Sequence, residues 1–457
     1  MNHSNHISGR ELRRSLNLVI LGVAFGIVFF VVLNGAPLTG FIRALGAGDL
    51  LYSFIMALPL LGSVGQFLAA YFLENTGKRK LLFLISGFMR LLWVPVALLP
   101  LLMPSGLSGV RTGIITFLIA LWALANAVTG ITFSSWMGDL VPEGIRGRFF
   151  GRRMMIFTIM TALSGLAIGK YLDSFHDYKG FAILFGIVTI LGVADISCFF
   201  GVKDPPMPAP ETKIPFRKLC LLPFQDKNYF MFLLFIAIWN FGMNFAAPFF
   251  NVYMLEQLHM NYFSIFLGAQ LVSNLATVLF VQVWGKMTDK FGNKPVMVIC
   301  SSVVMFLPMF WCFATPQNHL IVIPIINLLA GSFWPGYDIS ATNLAIWLAP
   351  PRNRSIYIAT YTVFASLIGG MSAYICGGAL MEFSKGILAK WSLPFFLGQR
   401  LTNFHCLFIT AALFRILAAL IFLPRFSEKH SNPIRIGRIL QDFQRNLREK
   451  ISARNQA

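Results

Sequence analysis

Charge is what this sequence has least of. Only 12% of its 457 residues are Asp, Glu, Lys or Arg, about half the share of an ordinary soluble domain (about 25%). Acid is scarcer than base: 18 Asp and Glu stand against 37 Lys and Arg, a formal net charge of +19. Such an excess can signal nucleic acid, but no basic soluble domain is present to carry that function, so a nucleic-acid partner is not expected. The six cysteines (Cys198, Cys220, Cys300, Cys312, Cys376 and Cys406) have neither metal nor disulfide spacing, and most sit in apolar runs. They read as reduced core residues. No nucleophile–base pair, paired catalytic carboxylates, metal-ligand spacing or Walker-type loop appears, which argues against an enzyme, a resident cofactor and ATP drive.

What the chain has is apolar length. Its residues are 56% apolar and 14% aromatic, and runs long enough to cross a bilayer, about 20 residues, recur along it. They predict an all-α polytopic membrane protein with twelve spans, at about 16–38, 50–73, 81–103, 112–137, 153–175, 180–202, 229–255, 262–285, 295–314, 320–348, 355–383 and 404–423. The first run is too long for a signal-peptide core and is followed by many more, so it stays as helix 1. Between helices 6 and 7 the composition changes to a proline-rich, basic stretch. The expected organisation is therefore a tail (1–14), a six-helix bundle (15–202), a linker (203–227), a second six-helix bundle (228–424) and a tail (425–457).

Twelve spans put both termini on one side. The tails, the linker and the loops on that side carry 28 of the 37 Lys and Arg, so the positive-inside rule makes that side cytoplasmic. In the last tail Ile436, Ile439, Phe443, Leu447 and Ile451 recur at three- and four-residue spacing among basic residues. This predicts an amphipathic helix lying on anionic inner-leaflet lipid.

One stretch organises the rest: Gly285-Lys286-Met287-Thr288-Asp289-Lys290-Phe291-Gly292-Asn293-Lys294-Pro295, a charged turn between two apolar runs. Gly292 permits the positive φ of a sharp reversal, and Pro295 suits the first turn of the next helix. A weaker copy lies upstream at residues 70–80, with Glu74 for the acid, then Gly77, Lys78, Arg79 and Lys80. A second repeat, offset by 208, matches Ser164-Gly165, Gly169, Leu172 and Phe175 in helix 5 to Ser372-Ala373, Gly377, Leu380 and Phe383 in helix 11. The same offset pairs Pro142 and Arg146 with Pro350 and Arg354.

The paired turns resemble the Gly-x-x-x-Asp-Arg/Lys-x-Gly-Arg/Asn-Arg/Lys loop of the major facilitator superfamily, which follows helix 2 and recurs after helix 8. The resemblance covers about residues 16–423 and implies two six-helix pseudo-repeats. Residues 139–153 also look like the loop between helices 4 and 5 of many bacterial members, so a bacterial inner membrane is the expected location. The resemblance implies that Glu74 and Asp289 act as gating acids, each against the start of a helix in the other half. Asp289 would face residues 147–152, and Glu74 the start of helix 11. Gly77, Lys78, Arg146, Gly285, Lys290, Gly292 and Arg354 complete that gating set; the alternative is a charged turn that only fixes topology. The resemblance also implies a cavity lined mainly by helices 1, 4, 7 and 10, with helices 3, 6, 9 and 12 as outer supports.

The polar and aromatic residues of those cavity helices are Asn34; Trp122, Asn126, Thr129 and Trp136; Trp239, Asn240 and Asn244; and Asn327, Trp334, Tyr337, Asp338 and Asn343. Amides beside flat rings suit a small, neutral, hydroxyl-rich solute such as a sugar or glycoside, although interhelical amides are also ordinary helix contacts. Arg90 and Asp195 lie at similar depth in helices 3 and 6 and are expected to form a structural ion pair. Arg415, in helix 12, has no acid at its depth. Lys170 and Asp173, a turn apart, read as an exposed pair. Asp338 follows Trp334-Pro335-Gly336, where helix 10 is expected to be discontinuous. A carboxylate there could couple transport to protons, bind a cationic group, or cap the kink. The expected function is secondary transport by a monomer, with a lipid flippase or a non-transporting sensor as alternatives.

Overall fold

The computed structural model describes residues 8–60, 62, 78–205, 222–350, 354–388, 394–395 and 400–428. Glu74, Gly77, most of the linker and the amphipathic stretch of the last tail lie outside the described residues, as does the side chain of Arg354. The described chain is almost wholly helical: α1 (Gly9–Asn34), α2 (Asp49–Leu60), α3 (Arg79–Leu102), α4 (Ser108–Leu140), α5 (Gly144–Ser174), α6 (Tyr178–Gly201), α7 (Lys227–Gln257), α8 (Tyr262–Phe291), α9 (Asn293–Trp311), α10 (His319–Trp347), α11 (Thr360–Leu388) and α12 (Asn403–Arg425). Among the described residues eleven of these are long and apolar enough to span a membrane, and α2 is a shorter apolar helix. In hydrocarbon every backbone polar group must be bonded internally, which is why such runs become helices.

Short polar side chains begin them. Ser8 and Glu11 form a reciprocal cap on α1. Asp177 accepts the Gly180 N–H at 2.8 Å, Asp226 accepts the Asn228 and Tyr229 N–H groups at 3.0 Å, and Asn261 accepts the Ser264 N–H at 2.8 Å. Each leaves a terminal donor satisfied where the apolar run starts.

Two breaks differ from expectation. Helix 10 is continuous from His319 to Trp347 through Pro335 and Gly336. Gly336 serves close packing: a Cβ there would lie 2.4 Å from the Cys300 Sγ and 2.8 Å from the Trp284 ring. The break falls in the first span, where Gly35 is extended (φ −120°, ψ −170°) and Pro37 helps start the short helix Ala36–Ala44. The charged turn is also tighter than its sequence suggests. Met287, Thr288 and Phe291 are buried, so α8 runs on to Phe291 and the reversal is made at Gly292, whose φ is +91°.

Among the described residues each half packs chiefly on itself, and the two sets of helices meet on the face away from the termini. There α5 lies against the start of α8: a Cβ on Gly169 would sit 2.8 Å from the Phe263 Cα, and one on Gly165 2.7 Å from the Phe266 ring. Asp173 accepts the Tyr262 N–H at 2.6 Å and the Phe263 N–H at 3.1 Å, so it caps α8 across the interface instead of pairing with Lys170. Symmetrically, α11 meets α2, where a Cβ on Gly378 would collide with Ser53 Oγ. Arg43 joins the halves with two bonds to Glu256, at 2.5 and 2.9 Å, while a third reaches Asp49 at 2.8 Å. The Tyr52 hydroxyl donates to the Pro248 carbonyl at 2.7 Å.

On the termini face the halves carry separate clasps. Arg79, fully buried at the start of α3, donates to Asp204 at 2.5 Å and also to Asp139. In the second half Glu428, just past α12, accepts the Asn293 and Lys294 backbone N–H groups at 3.2 and 2.8 Å. A carboxylate at that helix start is favoured by free amides and by the helix dipole.

Candidate functional site: a cavity at the break in the first helix

Two cavities meet at Asn34, Ala247 and Asn251. The larger, about 450 Å³, runs between α7, α8, α9, α10 and α12 and reaches Asn34 and Gly35. The smaller, about 300 Å³, lies against α1, α2, α4, α7 and α11. Both open where α1 is interrupted. A broken helix leaves backbone groups that its own hydrogen-bond ladder no longer satisfies, and these face the space at the gap.

Of the residues expected at a cavity, Asn34, Asn244, Asn327 and Trp334 line the larger space, and Asn34, Trp122 and Asn126 the smaller. The amide NH2 groups of Asn34, Asn244 and Asn327 each donate to the carbonyl four residues back, at 2.8–3.0 Å. Their carbonyl oxygens are left as acceptors for a guest. Gln270 and Asn274 of α8 and Asn251 of α7 add to this lining. Sequence reading misses the α8 pair because helix 8 is not among the cavity helices the resemblance implies. Part of the wall there is a π-helical turn, Phe266–Leu271.

The other expected residues sit elsewhere. Trp136 is fully buried at the termini end of α4, with its indole N–H on the Lys203 carbonyl at 2.8 Å. Thr129 bonds Ser86 of α3 at 2.8 Å. Asn343 donates to the Asn293 side chain at 2.9 Å, near Asp289 and Glu428 on the termini face. Trp239 and Tyr337 stack on each other, centroids 5.0 Å apart, and are buried behind the wall. Asn240 turns its amide back to the Ile236 carbonyl at 2.8 Å and packs on Gly369 of α11. Polar type marks these residues equally, and only the rotation of each helix separates them.

Asp338 is exposed, one turn beyond Trp334, with no hydrogen bond or ion pair among the described residues. Asp289 is likewise exposed and unpaired among them, at the rim of the termini-face pocket. Arg146 donates to the Gly138 carbonyl at 3.0 Å, closing the end of α4. Lys78 is exposed just ahead of α3, Lys290 lies over the neighbouring Phe291 ring, and a Cβ on Gly285 would meet nothing within 4 Å.

Two arginines reach the cavities from helices expected to be outer supports. Arg90, in a tightened 3-10 turn of α3 (Met89–Leu92), lines the smaller one. It donates to Asp195 at 2.6 Å and to the Gly192 carbonyl at 2.7 Å, with its guanidinium 5.1 Å from the Phe29 ring centre. Asp195 is held in a slot on α1, where a Cβ on Gly22 or Gly26 would come within 2.7 or 2.2 Å of its carboxylate. Arg415 of α12, only 3% exposed, lines the larger cavity. It donates to the Gly242, Val304 and Met243 carbonyls at 3.2, 3.1 and 3.4 Å and lies 5.7 Å from the Trp334 ring centre. A charge at this depth costs roughly 3 kcal/mol or more to bury, so both arginines need a reason to be there.

The family model of the Major Facilitator Superfamily matches residues 18–273 and 241–452. The chain belongs to this superfamily. As a facilitator it is a transporter and not an enzyme, with a multi-pass place in a membrane. Solved facilitators share its fold. A mutant form of the nucleoside transporter NupG aligns with TM-score 0.70 at 14% identity, over 91% of this chain and 100% of that one. A D-xylose–proton symporter gives 0.65 at 15% identity, over 93% and 99%. A bacterial homologue of the human lysosomal transporter Spinster, inward-facing and unoccupied, gives 0.64 at 15% identity, over 92% and 100%. No curated relative matches the sequence.

Proposed function

We propose that this facilitator is a secondary transporter of a small polar solute, working by alternating access and coupled to protons through Asp338. The observation that carries this reading is a paired one. An amide-lined cavity sits at a broken first helix, and among the described residues the contacts joining the two halves gather on one face. Positive-inside charge makes the termini face cytoplasmic, so the arrangement corresponds to a carrier closed outward and open inward. Uptake by the full chain in proteoliposomes tests it. Flux above that of empty vesicles, saturable and raised by an imposed proton gradient, is the expected result. Lipid scrambling without solute flux would make it a flippase instead.

Two changes should shift the conformational balance. Arg43–Glu256 bridges the halves on the closed face, with Glu256 partly exposed. Glu256→Gln should weaken that closure by about 1 kcal/mol, a several-fold shift toward the outward-open state. Cysteine labelling from outside at a position lining the smaller cavity would report it; unchanged labelling would mean the pair is incidental. Among the described residues Asp289 is unpaired in the inward-open arrangement, because its proposed seat, the start of α5, belongs to the other half. It should engage only when the inner face closes. Asp289→Asn should therefore destabilise the outward-open state by about 0.3–2 kcal/mol and slow turnover. Wild-type turnover with unchanged inner-face accessibility would remove Asp289 from the gate.

A further inference from the structure

Arg90 and Arg415 are built alike up to one missing part. Each guanidinium donates to backbone carbonyls of a neighbouring helix and lies near an aromatic ring: Arg90 has the Gly192 carbonyl and Phe29, Arg415 the Gly242 and Val304 carbonyls and Trp334. Arg90 also has a carboxylate, Asp195, at 2.6 Å. Arg415 has no ion-pair partner among the described residues. Three of its five N–H groups meet carbonyls, and what lies beside it is the 450 Å³ cavity.

We propose that the transported solute carries a carboxylate and that Arg415 is the residue that binds it, so that the cargo itself supplies the missing counter-charge. This rests on the transporter reading above, narrows its small polar solute to an anionic one, and departs from the neutral solute expected from sequence. One guanidinium with two free N–H groups matches one carboxylate in charge and fork geometry. A phosphate dianion would need a second cation, and the lining of this cavity has none. Nor does the lining hold an Asp or Glu to meet an ammonium group, which disfavours amino-acid zwitterions. The rest of the wall offers amides from Asn34, Asn244, Asn251, Gln270, Asn274 and Asn327, which suit hydroxyl groups. The class that fits is a small hydroxylated monocarboxylate, of the sugar-acid type.

The full chain in nanodiscs is screened by thermal shift at pH 7 against gluconate, glucuronate, galacturonate, lactate and glycerate. The corresponding neutral sugars and amides, sodium chloride and inorganic phosphate serve as controls. At least one carboxylate should raise the unfolding midpoint by several degrees, with its uncharged counterpart and chloride giving no shift. Arg415→Gln should abolish that shift. Arg415→Lys, which keeps the charge, should retain a weakened one and guards against a folding defect in the first variant. Proteoliposome uptake of the same carboxylate should fall at least tenfold in Arg415→Gln. The proposal is overturned if no carboxylate protects, if neutral counterparts or chloride protect as well, or if Arg415→Gln keeps the shift. A neutral solute carried equally by wild type and Arg415→Gln overturns the carboxylate site while leaving the transporter reading intact; absence of any solute flux overturns both.

Discussion

Asp195→Ala should destabilise the protein by about 3–5 kcal/mol, because it strips the carboxylate from a cation that cannot leave. Arg90 keeps its carbonyl at Gly192 and its ring at Phe29, but neither carries a full negative charge. Arg90→Ala should cost a similar amount by the converse argument: Asp195 is lodged against Gly22 and Gly26, with no room to swing toward solvent. The double variant should lose clearly less than the sum of the two, since a removed pair leaves no orphan charge. Folded yield and heat-induced aggregation midpoints of the four proteins check this. Strictly additive losses would show that the two charges act independently of each other, and that the 2.6 Å contact contributes little.

That pair is legible in the sequence because a charge inside an apolar run announces itself, and depth along two helices can be read by counting. The spans are legible for a similar reason, since length and hydropathy need no tertiary information. Which face of a helix meets the cavity is much less legible. Trp122 and Trp136 look equivalent as aromatic residues of helix 4, yet one lines the smaller cavity and the other bonds Lys203 near the termini face. Fourteen residues turn a helix by nearly four full revolutions, so small curvature decides which way a side chain ends up.

Breaks mislead for a different reason. Proline and glycine inside helix 10 suggest a kink, but Gly336 is used for close approach to Cys300 and Trp284. Asn34-Gly35-Ala36-Pro37 sits inside an apolar run that looks continuous, although a proline soon after a glycine is a sound break signal. The clasp acids Asp204 and Glu428 are invisible as such because each follows a span in sequence and meets its partner only after three or more helices have packed. The bridge from Arg43 to Glu256 crosses 213 residues and both halves. Nothing local pairs them.

Asp338→Asn should abolish proton-driven accumulation while leaving exchange of solute down its own gradient. The carboxylate stands one turn past Trp334, which lines the larger cavity, and it is exposed without a cation partner among the described residues. A structural cap would hold backbone amides, but helix 10 runs unbroken through Pro335, and Asp338 bonds no amide among the described residues. That removes the capping role open at the level of sequence and favours a group that changes protonation as access alternates. Asparagine keeps the shape and the hydrogen-bonding oxygen but cannot take up or release a proton. With an acidic exterior, wild-type vesicles should concentrate solute severalfold over the outside, and the variant should stop at equal concentrations. Loss of binding as well as accumulation would make Asp338 a ligand contact. Normal accumulation would place the coupling proton elsewhere in the chain.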